Sequence, residues 1–215
     1  MTLSVNAYLS LDGVMQGPGA ADEDRSGGFA NGGWLVPHLE DPEVGRTIGG
    51  WFTRADSLLL GRNTYDSIQP FWEPVTDPED AVAYALNHLP KYLVTSSAVL
   101  APWHNTRVLS GEPTAAIAAL KEYRGDMQVH GSHRLAQALH NAGMVDEFRL
   151  LVLPVIVGSG KRLFDSSSMP TGLELLAAET LPGGAQYLRF RPIPFGTTDI
   201  APRGGESAEG GTAWS

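Results

Sequence analysis

From Leu3 to Leu11 the chain reads Leu-Ser-Val-Asn-Ala-Tyr-Leu-Ser-Leu, a partial two-residue alternation that predicts a half-buried strand. Asp12-Gly13 then turns the chain. Val44, Ile48, Trp51 and Phe52 recur at helical spacing, behind Asp41 as N-cap and Pro42 as first helical residue. They predict an amphipathic helix over about 42–55. Ser57–Leu60 is an apolar run short enough for a buried strand, and Gly61 ends it. Arg62-Asn63-Thr64 opens a helix that Pro70 is expected to break, and Phe71–Asp80 is expected to be a loop.

The pattern continues with a helix over 81–89, strands over 91–95 and 106–109, and a helix over 113–123. A further strand spans 127–130 and leads into a helix over 133–142, with Leu135, Ala138 and Leu139 on its apolar face and Gly143 as its stop. Glu147–Val157 is the most strand-like stretch. Pro154 within it implies an edge, a bulge or two strands in line. Two last strands flank the hairpin signal Pro182-Gly183-Gly184. Strand–helix units followed by a hairpin predict an α/β domain: a mainly parallel sheet covered on both faces, with antiparallel strands at one edge.

Two stretches lack periodicity. Val14–Gly33 is rich in Gly, Asp and Ala, and a loop of that length is either a functional lid or a floppy insertion. From Gly196 the Gly-, Ala-, Ser- and Pro-rich composition predicts a disordered tail, so the domain is placed at 1–195 and the tail at 196–215.

Composition narrows the chemistry. The net charge of -9 argues against a nucleic-acid surface, although a small basic pocket remains compatible with it. There is no cysteine, which removes thiolate chemistry and fits a cytoplasmic protein. No apolar run approaches a membrane span and no signal peptide is read at the N-terminus. The histidines show no metal-ligand spacing, and no serine sits in Gly-x-Ser-x-Gly.

Three strand ends carry groups suited to phosphate. Gly61-Arg62-Asn63-Thr64 and Gly131-Ser132-His133-Arg134 are helix starts with free N–H groups, a positive dipole end and an arginine. Thr95-Ser96-Ser97 offers three hydroxyls. Singly, each is also read as an ordinary strand–helix joint or loop. Together they suit a dinucleotide with an extra phosphate. They match neither the Gly-x-Gly-x-x-Gly fingerprint nor a P-loop, for which Gly158-Ser159-Gly160-Lys161 lacks the spacing.

Four motifs in order carry a family resemblance: Ser10-Leu11-Asp12-Gly13, Leu60-Gly61-Arg62-Asn63-Thr64-Tyr65, Val94-Thr95-Ser96-Ser97 and Val129-His130-Gly131-Ser132. With Gly143–Glu147, Pro154–Gly160 and Leu163-Phe164 downstream, residues 2–192 resemble the dihydrofolate reductase-like superfamily. Within it the chain looks closest to bacterial proteins similar to the reductase domain of the riboflavin-biosynthesis deaminase–reductase. The resemblance implies a homodimeric NADPH-dependent reductase acting on a small heterocycle. It implies backbone contacts from Ala7 and Tyr8 to the nicotinamide carboxamide, and a mobile loop containing Met15. It also implies that Arg62, Ser96 and Arg134 serve the 2′-phosphate, while Asn63, Thr64, Gly131, Ser132 and His133 serve the pyrophosphate. True dihydrofolate reductases carry an acid on the first helix. The acids here, Glu40, Asp41 and Glu43, are offset, and Asp41 is better read as the N-cap. Asp12 is the remaining candidate site acid, and equally a turn residue.

Overall fold

The computed structural model describes residues 1–99, 101–109, 112–120 and 125–197. Most of the expected tail, and the end of the helix expected over 113–123, lie outside the described residues. The strands are β1 (Thr2–Ser10), β2 (Ser57–Gly61), β3 (Lys91–Val94), β4 (Thr106–Leu109), β5 (Asp126–Val129), β6 (Glu147–Leu153), β7 (Gly172–Thr180) and β8 (Gln186–Ile193). They form one sheet in the order β4-β3-β2-β5-β1-β6-β8-β7. The first six in this order are parallel to one another, and β8 is antiparallel to both β6 and β7. The helices are α1 (Pro42–Arg54), α2 (Arg62–Trp72), α3 (Ala81–His88), α4 (Pro113–Leu120) and α5 (His133–Asn141).

Strand alternation sorts the core into two layers. Leu58 and Leu60 point to one face with Leu151 and Leu153, where Trp51 and Phe52 of α1, Tyr65 of α2 and Leu86 of α3 cover them. Leu59 points to the other face with Leu3, Val5 and Phe148, under Ile117 of α4 and Leu135, Ala136 and Leu139 of α5. Full burial of each large apolar side chain is worth about 1.5–3 kcal/mol. The α1 boundaries agree with the expected helix. The Asp41 carboxylate accepts from Glu43 N at 2.9 Å, and its other oxygen accepts from Gly183 N at 2.7 Å, so one residue caps α1 and pins the β7–β8 turn.

Three details of the sequence reading are corrected. Pro70 does not end α2, which runs to Trp72. Proline removes one helical hydrogen bond, but the ladder resumes with Glu73 N on Gln69 O, and Ile68 and Trp72 hold the last turn to the core. Pro154 marks neither an edge nor a mid-strand bulge. β6 has partners on both sides and stops at Leu153, so Val155–Val157 lie beyond the ladder. On α5 the buried alanine is Ala136, while Ala138 is exposed.

Candidate active site

The chain leaves β1 through α1, on one face of the sheet, and leaves β5 through α5, on the other. Adjacent parallel strands whose connections part in this way create a crevice outside their carboxyl ends, the usual ligand position of an open α/β sheet. The β1–β5 register ends at Val5↔Val129, whereas β1 runs on to Ser10. From Asn6 onward β1 therefore has no strand partner on the β5 side. The backbone of Ala7 and Tyr8 lies on this open edge. The order β3-β2-β5-β1 also brings the three expected strand ends into one row along the crevice.

The two helix starts on that row touch. Gly61 N donates to Gly131 O at 3.2 Å. A Cβ on Gly61 would collide with Ser132 Oγ, and one on Gly131 would sit 2.7 Å from Thr64 Oγ1. Gly131 also has φ +112°, a conformation that L side chains rarely adopt. These glycines let α2 and α5 begin side by side.

Capping separates these two helices from the other three. Asp41 caps α1, Asp80 Oδ1 accepts from Val82 N and Ala83 N on α3, and Glu112 Oε2 accepts from Thr114 N and Ala115 N on α4. No side chain caps α2 or α5, and neither has an acid in its first turn. Unsatisfied N–H groups and two positive dipole ends therefore face the crevice, an arrangement that attracts an anion.

The remaining expected residues lie around this pair in differing states. Arg62 Nε pairs with Asp66, 2.6 Å to Oδ2, and Nη1 donates to Ala98 O at 3.0 Å, which holds the guanidinium beside the Thr95–Ala98 segment. Thr95 Oγ1 accepts from Ser97 N at 3.1 Å, while Ser96 and Ser97 are exposed. Arg134 is exposed. Burial, with Lys161 and Arg134 nearby, lowers the His133 pKa and favours the neutral ring. Met15 packs on the α5 side of the core, and its N–H donates to Lys161 O.

Asp12 has a structural environment. Its Oδ1 accepts from Ser10 Oγ at 2.7 Å and Val157 N at 3.0 Å; its Oδ2 accepts from Gly158 N at 2.8 Å, with Arg162 at 3.4 Å. Ser10, then Val157, lead the interactions that hold its pKa down at about 2. A carboxyl so held is ionised at neutral pH and clamps the 157–158 backbone, the turn role read for it beside that of a site acid.

The loop over 14–33 is tied down over the end of β1. Gln16 is buried; its Nε2 donates to Asp24 O and Ser26 O, its Oε1 accepts from Lys161 N, and its backbone carbonyl accepts from Trp34 Nε1. Lys161 Nζ meets Asp24 Oδ2 and Ser26 Oγ, each at 2.5 Å. Those bonds join the loop to the 159–161 turn. A cleft of about 290 Å³ lies between the loop and the 159–161 turn, lined by Gln16, Phe29 and Lys161 among others.

The RibD C-terminal domain family model matches residues 1–187. The chain belongs to this family. An uncharacterised Bacillus subtilis protein, YyaP, is 27% identical over 184 residues, covering 85% of this chain and 90% of its own. The crystal structure of a candidate riboflavin biosynthesis protein from Shewanella sp. PV-4 superposes with a TM-score of 0.66 at 18% identity, covering 90% of this chain and 99% of that one. Dihydrofolate reductase from Enterococcus faecalis, solved with NADP(H), superposes at 0.53 and 13% identity, covering 89% and 96%. These structural likenesses establish a fold shared with RibD-type and dihydrofolate reductases.

In this RibD C-terminal domain a buried polar network that the sequence reading missed also joins β1, β5 and α1. Gln128 Nε2 donates to Trp51 O at 2.8 Å and to Asp126 Oδ2 at 2.9 Å. Its Oε1 must then be the acceptor, and it takes Asn6 Nδ2 at 2.7 Å and His130 Nε2 at 2.9 Å. Asp126 is itself held by Arg149 at 2.5 Å, and Glu147 bridges Arg149 and Arg189. Burial, with Arg149 nearby, lowers the His130 pKa to about 3, so the ring is neutral. The available signal was weak: polar Asn6 and Gln128 at inward positions of otherwise apolar strands.

Proposed function

We propose that this protein is an NADPH-dependent reductase that transfers hydride to a small heterocyclic substrate. The observation that carries the reading is the capping contrast: the helices whose N-termini meet at the crevice are the two left without an acidic cap. The glycine-permitted contact at Gly61 and Gly131 fits a pyrophosphate laid across both starts. In this reading Asn63, Thr64, Ser132 and His133 hold the pyrophosphate. Arg62, exchanging Asp66 for a phosphate, selects the phosphorylated ribose with Ser96 and Arg134. Ala7 and Tyr8 offer their open backbone edge to the carboxamide. NADPH so bound supplies the hydride; the chain positions the acceptor and excludes water beneath the 14–33 loop. With Asp12 ionised, the proton comes from another group or from bound water. Among the described residues no helix is long and apolar enough to cross a membrane. A cytoplasmic homodimer joined through the late strands, whose β7 exposes Leu173 and Leu175, completes the proposal.

The structural role of Asp12 also favours a second reading, a ligand-binding protein of the same fold without turnover. Titration of the protein with NADPH and NADH at fixed ionic strength tests the cofactor site. Micromolar NADPH binding is expected, with NADH weaker and Arg62→Ala narrowing the gap. Absence of binding to either cofactor by well-folded protein sinks the reductase reading, and hydride consumption with candidate heterocycles separates it from the second.

A further inference from the structure

Asn31-Gly32 is the only Asn-Gly pair in the chain, and it lies in the 14–33 loop. Asparagine before glycine is prone to lose its side-chain amide, because glycine has no Cβ to shield its nitrogen from the asparagine carbonyl carbon. The fold makes this glycine obligatory: a Cβ on Gly32 would lie 2.6 Å from Ala20 O and 2.7 Å from Ala21 O. It also leaves the reacting groups free. Asn31 is exposed, and among the described residues Gly32 N donates no hydrogen bond. The Asn31 amide makes one bond, from Nδ2 to Val157 O at 3.2 Å, which ties the loop to the segment beyond β6.

Asp12-Gly13, the other pair able to close the same cyclic imide, is protected by comparison. Its carboxylate is ionised and accepts from Ser10 Oγ, Val157 N and Gly158 N. Gly13 N is already given to Ser10 O at 2.9 Å. An ionised carboxylate is a poor electrophile, and a hydrogen-bonded amide a poor nucleophile. Neither restraint acts at Asn31-Gly32.

We propose that Asn31-Gly32 is a spontaneous deamidation site whose conversion unties the 14–33 loop from Val157. In the step, Gly32 N bonds to Asn31 Cγ, the Cγ–Nδ2 bond breaks, and the proton displaced from Gly32 N leaves with Nδ2 as ammonia. Water then opens the imide at either carbonyl, leaving aspartate or isoaspartate at position 31, with no change of oxidation state. Both products conflict with the present contacts. A carboxylate has only acceptors to set against Val157 O, and it adds a negative charge near Asp12, which holds Gly158 N of the same peptide unit. Isoaspartate also lengthens the backbone by one carbon beside Gly32, where the Ala20 and Ala21 carbonyls leave no space for even a Cβ.

The test incubates the full chain at mildly alkaline pH and follows it by peptide mass mapping, which reads the conversion of amide to acid, and by isoaspartyl methyltransferase labelling. Asn31 is expected to convert ahead of Asn6, Asn63, Asn87, Asn105 and Asn141, with labelling confined to its peptide, and Asn31→Gln should lose both signals. Gly33 N and Leu35 N bond across the loop to Gly17 O and Pro18 O. Their hydrogen exchange should quicken about fivefold after conversion, the worth of one lost hydrogen bond, while Met15 N, bonded to Lys161 O, keeps its rate. Asn31→Asp, which introduces the charge without the chemistry, should reproduce the quickening. Survival of Asn31 in the folded wild type for as long as the other asparagines overturns the site. Conversion, or Asn31→Asp, with unchanged exchange at Gly33 and Leu35 overturns its effect on the loop. The wild-type sample decides both points even where a variant does not fold.

Discussion

Placing an acid at the start of α2 should stabilise the protein and impair it at once. Asn63 is exposed at the second helical position, so Asn63→Asp introduces no steric conflict. A carboxylate there meets the positive end of the helix dipole and the uncapped N–H groups. This is worth about 0.3–1 kcal/mol, or a rise in Tm of about 1–4 °C for a domain of this size. The same charge would lie about 6 Å from a phosphate seated on the helix start. The repulsion per unit charge is then about 0.7 kcal/mol at the dielectric of water and about 3 kcal/mol at an effective dielectric of about 20. NADPH affinity should consequently fall by about tenfold, within limits of about threefold and a hundredfold. Thermal denaturation without ligand measures the first effect and calorimetric titration the second, with Asn63→Gln as the neutral control. Raised salt should shrink the affinity loss. A variant that gains stability yet binds NADPH as tightly as wild type would show that the α2 start is not the phosphate seat. One that loses stability would show that those N–H groups are already satisfied.

Two further outcomes follow from charged groups with assigned partners. Asp12→Asn should cost about 2 kcal/mol, a fall in Tm of about 4–8 °C, because the 157–162 turn loses a charge-assisted clamp. Its contribution should be full above pH 4 and vanish as pH falls through about 2, since the folded pKa lies below the unfolded one. Lys91 is fully buried, donates to Leu86 O at 2.7 Å, and has its pKa lowered to about 8 by burial, against a raising effect of Glu73. The folded state thus disfavours its charge below pH 8, and chemical denaturation should show wild-type stability rising by about 2 kcal/mol from pH 8 to pH 10 relative to Lys91→Met. A flat difference between the two proteins would refute the assignment.

Much of the scaffold was legible because its elements carry local signals. Asp41-Pro42-Glu43 announces a helix start, and the structure shows the cap in place. Leu58–Leu60 is short enough for a buried strand, and Pro182-Gly183-Gly184 signals a hairpin; both are seen. The misreadings arose where neighbours overrule a local rule. Pro70 is tolerated because Ile68 and Trp72 anchor the turn around it. Pro154 was misplaced because the sequence does not say that β6 has partners on both sides.

What the sequence determined by itself was the inventory: which segments are strands or helices, that Gly61 and Gly131 stand before helices, and that the ordered motifs match a reductase-like family. Only the tertiary structure decided what these groups face. The order β3-β2-β5-β1 is a long-range property, set by which apolar faces can be buried together, and it gathers three strand ends separated by tens of residues. The same packing turned Asp12 from a candidate acid into a clamp, by bringing Val157 and Gly158 to its carboxylate. It also fixed Gln128 between Trp51 O and Asp126, and so determined which way Asn6 faces. Hydrogen-bond direction and desolvation depend on partners far along the chain, which no local periodicity records.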